Sequence, residues 1–360
     1  AVESPCAGSA AVPGDIVCVV ITEDVAQRVA VLKKRQWLSH ILEISAVCTK
    51  QGLAEALSAA GEDFEWAPQT WLFPKDQEQV LAFCDKYPRC PLIYKPNGLG
   101  MGEAVFLMLG RPDFERKVGM MKGCPAIAQR YIERPLLLDG RKCDLRLYLL
   151  VVAPAAGMDW RVFLFQEGLV RICAEPYAVP SRSTLHHASA HLTNTSVSSL
   201  QHGGQALNCT ESLAELASRL GPESYASTWQ AVASVLQRTM ACCHAYVPRR
   251  ACRCFHILGA DVLLDDRLGP HLVELNDLVS LKLGRTVLLD DPVVRELGLK
   301  KCTAPCFDHR PHAHAPSPLD DQIKVPLVVS SLTLVQRLAS HGPDAPSETL
   351  LEDLPFDDLP

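Results

Sequence analysis

The stretch ADVLLDDRLGPHLVELN, residues 260–276, constrains the fold most, because two apolar strands flank a short polar turn. A turn after Arg267 places Asp261 directly opposite Glu274, with their Cβ atoms about 5 Å apart on one face of a hairpin. Asn276, two residues further along the strand, shares that face. Two carboxylates and an amide oxygen are hard ligands that suit Mg²⁺. The pattern therefore predicts a magnesium site on an antiparallel hairpin.

The facing carboxylates leave two arrangements open. Like charges directly opposite each other are destabilising, so a cation is expected between Asp261 and Glu274. A turn shifted by one residue would instead send these side chains to different faces, because side chains alternate along a strand. The metal site is the favoured interpretation.

A second stretch, PLIYKPNGLGMGEAVFLM at residues 91–108, places a lysine before a glycine-rich segment. Strand-like residues follow Gly98, Gly100 and Gly102, so a β-hairpin is expected rather than a strand-to-helix phosphate loop. Glycines let backbone N–H groups approach phosphate oxygens closely. Lys95 lies inside an apolar strand, where a charged amine needs an anion to offset its desolvation. A plain hairpin with a mobile tip is the alternative, and Lys95 favours phosphate binding over it.

Alternating charges mark GRKCDLRLYLLV, residues 140–151. Lys142, Asp144 and Arg146 share one face of an extended strand, and the apolar residues between them can pack on the other. Three charges that face a cleft could serve a nucleotide or a charged substrate, whereas a solvated face with an internal ion pair is the alternative. On a later strand, Arg171 in EGLVRICAEPY offers a guanidinium that suits phosphate or carboxylate.

Composition sets the broad class of protein. The 360 residues suffice for two domains or lobes, and 48% apolar residues support a hydrophobic core. A net charge of -6 gives no reason to expect a nucleic-acid partner. No apolar stretch approaches the roughly 20 residues that span a bilayer and no secretory signal is recognised, so no membrane partner is expected. The 15 cysteines lack the dense spacing of a disulfide framework, which favours reduced thiols in a cytoplasmic protein.

Patterning along the chain predicts a small N-terminal α/β domain at residues 1–90, a central and a C-terminal lobe at 91–302 and an extension at 303–360. The extension ends in the acidic repeat EDLPFDDLP, and it is expected to be partly disordered. Strands are predicted at 16–21, 91–95, 104–108, 126–132, 145–152, 161–166, 169–173, 260–265 and 271–276. Helices are predicted at 25–42, 49–60, 75–86, 213–245, 291–300 and 321–340.

Several possible metal ligands cluster near the C-terminus. They are Cys302, Cys306, His309, His312 and His314. Their spacing matches no compact zinc motif, and the prolines between residues 311 and 318 favour irregular chain. Zinc binding is therefore not expected from the sequence.

Seven stretches between residues 48 and 280 resemble, in the same order, the tubulin tyrosine ligase and tubulin polyglutamylase family of ATP-grasp ligases. They are TKQGL, WAPQTWLFP, YKPNGLGMG, AQRYIERPLLLDGRKCDLRLYLLV, EGLVR, HLTN and LGADVLLDDRLGPHLVELN. The resemblance implies an α/β (α+β) ATP-grasp fold with a small N-terminal α/β domain and a central antiparallel sheet.

The resemblance implies a role for each matching residue. Nucleotide contacts are implied for Lys50, Lys95, Gly98, Gly100, Gly102, Gln129, Arg130, Ile132, Lys142, Asp144, His191 and Asn194, with 129–132 as the hinge that holds adenine. Catalytic roles in holding phosphate and the incoming amino acid are implied for Lys95, Arg146 and Arg171. Magnesium ligation is implied for Asp261, Glu274 and Asn276.

The implied chemistry is ATP-dependent formation of a peptide or isopeptide bond, with ATP and Mg²⁺ as cofactors. ATP phosphorylates a carboxylate of the acidic C-terminal tail of tubulin, and the amine of a free amino acid displaces phosphate. Positioning and charge neutralisation would supply most of the catalysis. Glutamate is favoured on DGRKCDLRLYLLV and EGLVR, whereas AEPY resembles the tyrosine-adding member. A cytoplasmic protein of the microtubule cytoskeleton is expected, with the cilium as one candidate place.

Two departures from the family pattern keep alternatives open. Residues 277–279 stand where the family shows small residues before Ser-Leu, and Ser199 stands where a lysine is common. A catalytically inactive relative that binds tubulin or microtubules is one alternative, although Lys95 and the magnesium ligands are retained. A ligase acting on another protein or on small molecules is the other, and the HLTN and RYIERPLLLDG matches count against small molecules.

Overall fold

The computed structural model describes residues 16–17, 36–61, 64–96, 105–120, 125–154, 158–185, 188–193, 209–248, 253–302 and 311–359. Its strands are β1 (Ile16–Val17), β2 (Trp37–Leu38), β3 (Thr70–Phe73), β4 (Pro91–Pro96), β5 (Phe106–Leu109), β6 (Ala126–Arg130), β7 (Leu137–Leu138), β8 (Arg141–Ala153), β9 (Arg161–Phe165), β10 (Leu169–Ile172), β11 (Cys209–Ser212), β12 (Cys254–Leu264), β13 (Pro270–Asn276), β14 (Gly284–Leu288), β15 (His312–Pro316) and β16 (Phe356–Leu359). Its helices are α1 (Ile44–Val47), α2 (Lys50–Ala59), α3 (Gln77–Lys86), α4 (Gly110–Met120), α5 (Ala188–His191), α6 (Leu213–Leu220), α7 (Pro222–Tyr246), α8 (Pro292–Glu296), α9 (Pro318–His341) and α10 (Ser347–Leu351). The predicted α+β class with antiparallel sheets is confirmed.

The main sheet is built around strand β8. Its strand order is β1-β2-β12-β8-β10-β11 in the described part of the chain, and β7, β9, β13 and β16 attach beside this path. Strand β12 pairs antiparallel with β8 over residues 145–153. On the other edge of β8, strand β10 pairs with the first half and strand β9 pairs with the second half. The long strand therefore connects every part of the sheet that carries predicted site residues.

Strand β8 has two apolar faces because helices cover both sides of the sheet. Leu147 and Leu149 pack into a cluster that includes residues of α2, α6 and α7. Leu150 and Val152 pack into a second cluster that includes residues of α9. The charged residues predicted to alternate with apolar ones occupy only the first half of the strand, where β10 lies alongside.

A second sheet of four antiparallel strands has the order β3-β6-β4-β5. Helices α3 and α4 contribute to its apolar cluster through Val80 and Phe114, among others. A short connection after β6 leads to the main sheet, where the N–H of Leu136 donates to the carbonyl oxygen of Leu264 at 2.7 Å. The two sheets are thus joined at the place where the family resemblance implies a hinge.

Helix α2 confirms the prediction at 49–60 and shows why this segment contains a glycine. The Thr49 hydroxyl accepts a hydrogen bond from the N–H of Gly52 at 2.9 Å, which caps the helix. A Cβ at Gly52 would lie 1.8 Å from the carbonyl oxygen of Ala46, so only glycine lets α2 pack this closely on α1. This contact fixes Lys50 at the start of α2, beside the acidic hairpin.

Two helices form where helical spacing runs over 213–245. Ser212 and Glu215 make a reciprocal capping box at the start of α6. Gly221, with a φ of 80°, ends α6, and Pro222 begins α7.

The helix predicted at 25–42 does not reach its expected end. Trp37–Leu38 forms strand β2 instead, which pairs in parallel with β1 and bridges Cys254 of β12. Trp37 is buried in one core cluster and Leu38 in the other, as expected for adjacent residues of a strand covered on both faces. Residues 18–35 lie outside the described part.

The acidic end of the chain is folded, so the prediction of disorder there is wrong. Strand β16 pairs antiparallel with β9 and extends the main sheet. Phe356 is buried, with its ring centroid 5.3 Å from that of Phe165. Asp357 accepts a hydrogen bond from Nε1 of Trp229 at 2.7 Å. The apolar side chains between the aspartates thus pack inward, while the carboxylates accept hydrogen bonds.

The Pro- and His-rich segment is also regular where it is described. His312–Pro316 forms strand β15, which pairs antiparallel with β14, so the prediction of irregular chain is wrong. The long helix predicted at 321–340 forms as α9. By length and composition alone α9 could cross a membrane, but its buried apolar residues belong to the core cluster on the main sheet. The limits at 90 and 302 stay predictions. Both sheets contain strands from either side of residue 90, and the main sheet also contains β16 from beyond residue 302.

Candidate active site

Asp261 of β12 and Glu274 of β13 lie directly opposite each other, so the predicted pairing is confirmed. Asn276 lies opposite Gly259 on the same pair of strands. Asp261 is almost fully buried, with 2% of its surface exposed. Their role as metal ligands stays a prediction.

The pairing arises from a β-bulge rather than from the expected turn. Near the turn, Leu264 lies opposite Pro270, and an unbroken register from there would place Asp261 opposite Val273. The register shifts between Asp261 and Val262, which brings Glu274 opposite Asp261. The bulge therefore re-aims one carboxylate toward the other.

Three neighbouring strands bring two arginines and two aspartates into one network. Arg171 of β10 lies opposite Asp144 of β8, and Arg146 of β8 lies opposite Asp261 of β12. Nε and Nη2 of Arg171 donate to the two oxygens of Asp144 at 2.6 and 2.7 Å. Nη2 of Arg171 also donates to Asp261 at 2.9 Å. Arg146 binds Asp261 through a second fork, with Nη2 at 3.0 Å from Oδ2.

The arginines keep Asp261 ionised. Burial alone would raise the pKa of Asp261, but the charges of Arg171 and Arg146 outweigh burial and hold the pKa below its ordinary value. A carboxylate has about four lone-pair positions, and the arginine N–H groups already use three of those on Asp261. Little capacity remains on Asp261 for a further cation while both arginines are in place.

Glu274 is the less neutralised carboxylate. Nζ of Lys50 lies 4.0 Å from its Oε2, and Nδ2 of Asn276 lies 3.5 Å from its Oε1. Burial and then the charge of Asp261 raise the pKa of Glu274, although Lys50 and Lys95 oppose the shift. An added cation would stabilise the ionised form of such a carboxylate. The oxygen donors of Glu274, Asp261 and Asn276 therefore fit a hard divalent ion, with Glu274 as the most available ligand.

Lys95 of β4 is buried and held in place by the small sheet. Its Nζ donates to Oε1 of Gln129 at 2.9 Å, and Nε2 of Gln129 donates to the Thr70 hydroxyl at 2.9 Å. Burial lowers the pKa of Lys95 to about 8, and the charge of Glu274 is the strongest charge that opposes this shift. The Lys95 ammonium therefore lies near enough to the acidic hairpin for its charge to interact with that of Glu274.

Lys142, at the start of β8, is also buried. Its Nζ donates to the Tyr131 hydroxyl at 3.1 Å and lies 4.4 Å from the centroid of that ring. The Tyr131 hydroxyl lies 3.1 Å from Nδ1 of His191. Burial lowers the pKa of Lys142. Because these close contacts are to neutral groups, an added anion would stabilise the charged amine.

Most of the predicted site residues converge. Those that share the cleft or its network are Lys50, Lys95, Gln129, Lys142, Asp144, Arg146, Arg171, His191, Asp261, Glu274 and Asn276. Arg130 ends β6 with an exposed side chain near Cys90, and Ile132 is half-buried after that strand, so the described contacts do not place either in the network. Gly98, Gly100, Gly102 and Asn194 lie outside the described residues. The individual roles stay predictions.

Sequence reasoning missed three residues that shape the site. Thr193 donates from its hydroxyl to Asp144, and Tyr131 links Lys142 to His191. Both lie inside stretches already singled out, HLTN and RYIERPLLLDG, next to residues that were named.

The third missed residue is Gly168 of EGLVR. A Cβ there would lie 2.7 Å from the carbonyl oxygen of Arg146, so glycine lets the start of β10 approach β8. The glycine in this stretch was the available signal for such a close approach.

Comparison with known proteins shows the family of the chain. The model of the tubulin-tyrosine ligase family matches residues 30–291, which is more than half of the chain. This range contains every residue of the described site, from Lys50 to Asn276.

Individual relatives are named as tubulin polyglutamylases. Tubulin polyglutamylase TTLL13 of Mus musculus is 28% identical over 271 residues, covering 69% of this chain and 33% of the relative. Tubulin polyglutamylase ttll6 of Danio rerio is 30% identical over 268 residues, covering 69% of this chain and 33% of the relative. Tubulin polyglutamylase TTLL11 of Mus musculus is 26% identical over 313 residues, covering 79% of this chain and 40% of the relative. The matched part thus spans less than half of the length of each of these relatives.

The family match covers the strands that carry the predicted site residues, and the α+β architecture is consistent with an ATP-grasp-like fold. The chain belongs to the tubulin-tyrosine ligase family.

Proposed function

We propose that this chain is an ATP-dependent ligase that joins an amino acid, with glutamate favoured over tyrosine, to a carboxylate in the acidic tail of tubulin. One arrangement supports the ligase part: Nζ of Lys50 lies 4.0 Å from Glu274 of the acidic hairpin, and the buried amine of Lys95 is near enough to interact with the charge of the same carboxylate. Phosphates require such cations, and the divalent ion that accompanies them requires such carboxylates. Tubulin and glutamate rest on the relatives, which are named tubulin polyglutamylases.

Lys95 and Lys142 would bind the phosphates of the nucleotide. Burial lowers the pKa of both amines, so each gains stability when a phosphate oxygen replaces lost hydration. Gln129 and Tyr131 hold the two amines before any ligand arrives. Little reorganisation is then needed when the phosphates bind.

Glu274 and Asn276 would hold Mg²⁺, and Asp261 would add only the lone-pair position that the two arginines leave open. When bound, Mg²⁺ would neutralise phosphate charge and orient the transferring group. Glu274 must be ionised to act as a ligand, and its pKa is raised by burial and by Asp261. Affinity for the metal should therefore fall as the pH drops through this raised pKa.

Arg146 and Arg171 would hold the anionic groups of the reaction. The acceptor carboxylate attacks the γ-phosphorus of ATP and ADP leaves; the amino group of the free amino acid then attacks the acyl carbon and phosphate leaves. Asp261 and Asp144 fix the two guanidinium groups, so these positive charges would need little reorganisation to stabilise oxygens that gain charge. Such an enzyme is expected in the cytoplasm, on microtubules.

Mass spectrometry of tubulin tails tests the proposal directly. The full chain is incubated with tubulin, ATP, Mg²⁺ and either glutamate or tyrosine, and the mass added to the tails is measured. Glutamate addition is expected, with ADP formed in step. Glu274→Gln should abolish both signals, whereas Glu296→Gln, at an exposed position on α8, should leave both unchanged.

Two results would overturn parts of the proposal. Tyrosine addition without glutamate addition would reverse the choice of amino acid while keeping the ligase. Tubulin binding with equal ADP formation by wild type and Glu274→Gln would instead support an inactive tubulin-binding relative.

A further inference from the structure

Three side chains of types that can bind a metal ion lie close together in the part of the chain that follows the acidic hairpin. Cys302, His312 and His314 each offer a ligand atom, and these atoms all lie within 4.8 Å of one another. The rings of His312 and His314 have centroids 5.2 Å apart and stand nearly perpendicular to each other. None of the three belongs to the cleft described above.

Strand β15 explains why the two histidines point the same way. Side chains alternate along a strand, and Ala313 and Ala315 pack into an apolar cluster with Val287 of β14. His312 and His314 therefore share the opposite face of β15.

A backbone hydrogen bond brings the thiol to this face. The N–H of Cys302 donates to the carbonyl oxygen of His312 at 2.8 Å, so the chain after α8 runs beside β15. The position of Cys302 next to His312 is thus fixed by main-chain contacts, and the thiol needs no partner to stay near the imidazoles.

We propose that Cys302, His312 and His314 bind a zinc ion. A thiolate and two imidazoles are the ligand types that zinc prefers, whereas magnesium and calcium select oxygen donors. Around tetrahedral zinc the ligand atoms lie about 3.3–3.6 Å apart, so small side-chain rotations within the present cluster reach that geometry. The fourth position takes water or another donor. Cys306 and His309 lie outside the described residues, and the site does not depend on them.

The zinc would stabilise the segment between the acidic hairpin and α9. Strands β14 and β15 follow the hairpin along the chain, and the N–H of Ser317 donates to the carbonyl oxygen of Leu283 at 3.1 Å just before α9 begins. A metal that binds Cys302 and β15 only in the folded chain would add its binding free energy to the stability of the fold. The role is structural and independent of the proposed ligase activity.

The zinc content of the purified protein tests the site. The full chain is purified under reducing conditions, equilibrated with zinc, freed of excess metal and analysed by inductively coupled plasma mass spectrometry. Close to one zinc ion per chain is expected. Replacement of zinc by Co²⁺ should give a thiolate-to-cobalt charge-transfer band, which reports Cys302 as a ligand.

Ligand variants and matched controls separate zinc loss from misfolding. Cys302→Ser and His314→Asn should each weaken zinc binding by more than about 100-fold, because even partners of ligands contribute about 10- to 100-fold. Cys302→Ser should also remove the charge-transfer band. Cys209→Ser and His341→Asn, at exposed positions elsewhere, should keep full zinc content.

Two results would overturn the proposal. A folded wild-type chain that retains less than about one tenth of an equivalent of zinc has no such site. Full zinc content in both ligand variants places the metal elsewhere. Circular dichroism confirms folding of each variant, and His314 is exposed, so its replacement leaves the core intact.

Discussion

Raising the pH should weaken nucleotide binding through loss of the charge on Lys95. Burial lowers the pKa of this amine to about 8 in the ligand-free protein, and a bound phosphate would raise that pKa again. Only the protonated amine attracts phosphate, so binding becomes weaker as the pH rises above the ligand-free pKa. An exposed lysine would show almost no such dependence, because it stays charged over the same pH range.

The size of the effect follows from the pKa. With a ligand-free pKa of about 8, the dissociation constant for the nucleotide should increase about eightfold between about pH 7.5 and about pH 9. The change corresponds to about 1.2 kcal/mol. Lys142 also has a lowered pKa and adds to the dependence, so the contribution of Lys95 is the part removed by Lys95→Met.

Isothermal titration calorimetry of the full chain with a non-hydrolysable ATP analogue and Mg²⁺ measures this dependence. Lys95→Met should bind more weakly at about pH 7.5 and show a flatter pH profile, because its methylene chain fills the same space without the charge. Equal pH profiles for wild type and Lys95→Met would refute the assignment of the dependence to Lys95. Tighter binding by wild type at the higher pH would refute the electrostatic argument itself.

Three further perturbations test the fold around the site. Gly52→Ala should lower the free energy of unfolding by about 1–3 kcal/mol, since its Cβ would meet the Ala46 carbonyl oxygen at 1.8 Å, although alanine ordinarily favours helices by about 1 kcal/mol. Burial lowers the pKa of His256 to about 4. The free energy of unfolding should therefore fall by about 3 kcal/mol as the pH falls from about 6.5 to about 4, because the unfolded chain takes up the proton first. His256→Gln should reduce this acid sensitivity, measured by urea unfolding at each pH. Phe356→Ala should lower the free energy of unfolding by about 3–5 kcal/mol, because its ring is buried against Phe165.

Matched variants make these tests specific. Gly259→Ala places its Cβ no closer than 3.4 Å to the side chain of Arg146, so it should cost less stability than Gly52→Ala. Val329→Ala removes a side chain that is 57% exposed and should change stability by less than about 0.5 kcal/mol, unlike Phe356→Ala. A stabilising Gly52→Ala, or a harmless Phe356→Ala, would contradict the packing of α1 on α2 or of β16 on β9.

The charged face of β8 was predictable from alternation alone. Lys142, Asp144 and Arg146 occur at every second position, and extended backbone puts such residues on one face. The sequence could not show which neighbour each charge meets, because that depends on the register of β10 and β12. The register places Arg171 opposite Asp144 and turns isolated charges into a network.

The acidic hairpin was predicted with the right partners but for the wrong reason. Two residues three positions apart, Leu272 and Leu275, are both buried, which strict alternation on a single face does not allow. The β-bulge between them reconciles the two burials with the pairing of Asp261 and Glu274. A pattern based on period two cannot predict such an extra residue, so the predicted register was wrong by one residue near the turn.

Some charged side chains of the cleft are paired with an opposite charge, and others are neutralised only in part. The second group indicates which kind of ligand the cleft can bind. Arg146 and Arg171 pair with Asp261 and Asp144 on adjacent strands, and burial makes these pairs costly to break singly. Beside them, the buried amine of Lys95 has a lowered pKa, since burial disfavours its charged form. Glu274 has a raised pKa for the corresponding reason. A ligand that brings both phosphate oxygens and a divalent cation would offset both costs together, whereas a free anion or a free metal ion would relieve one and leave the other.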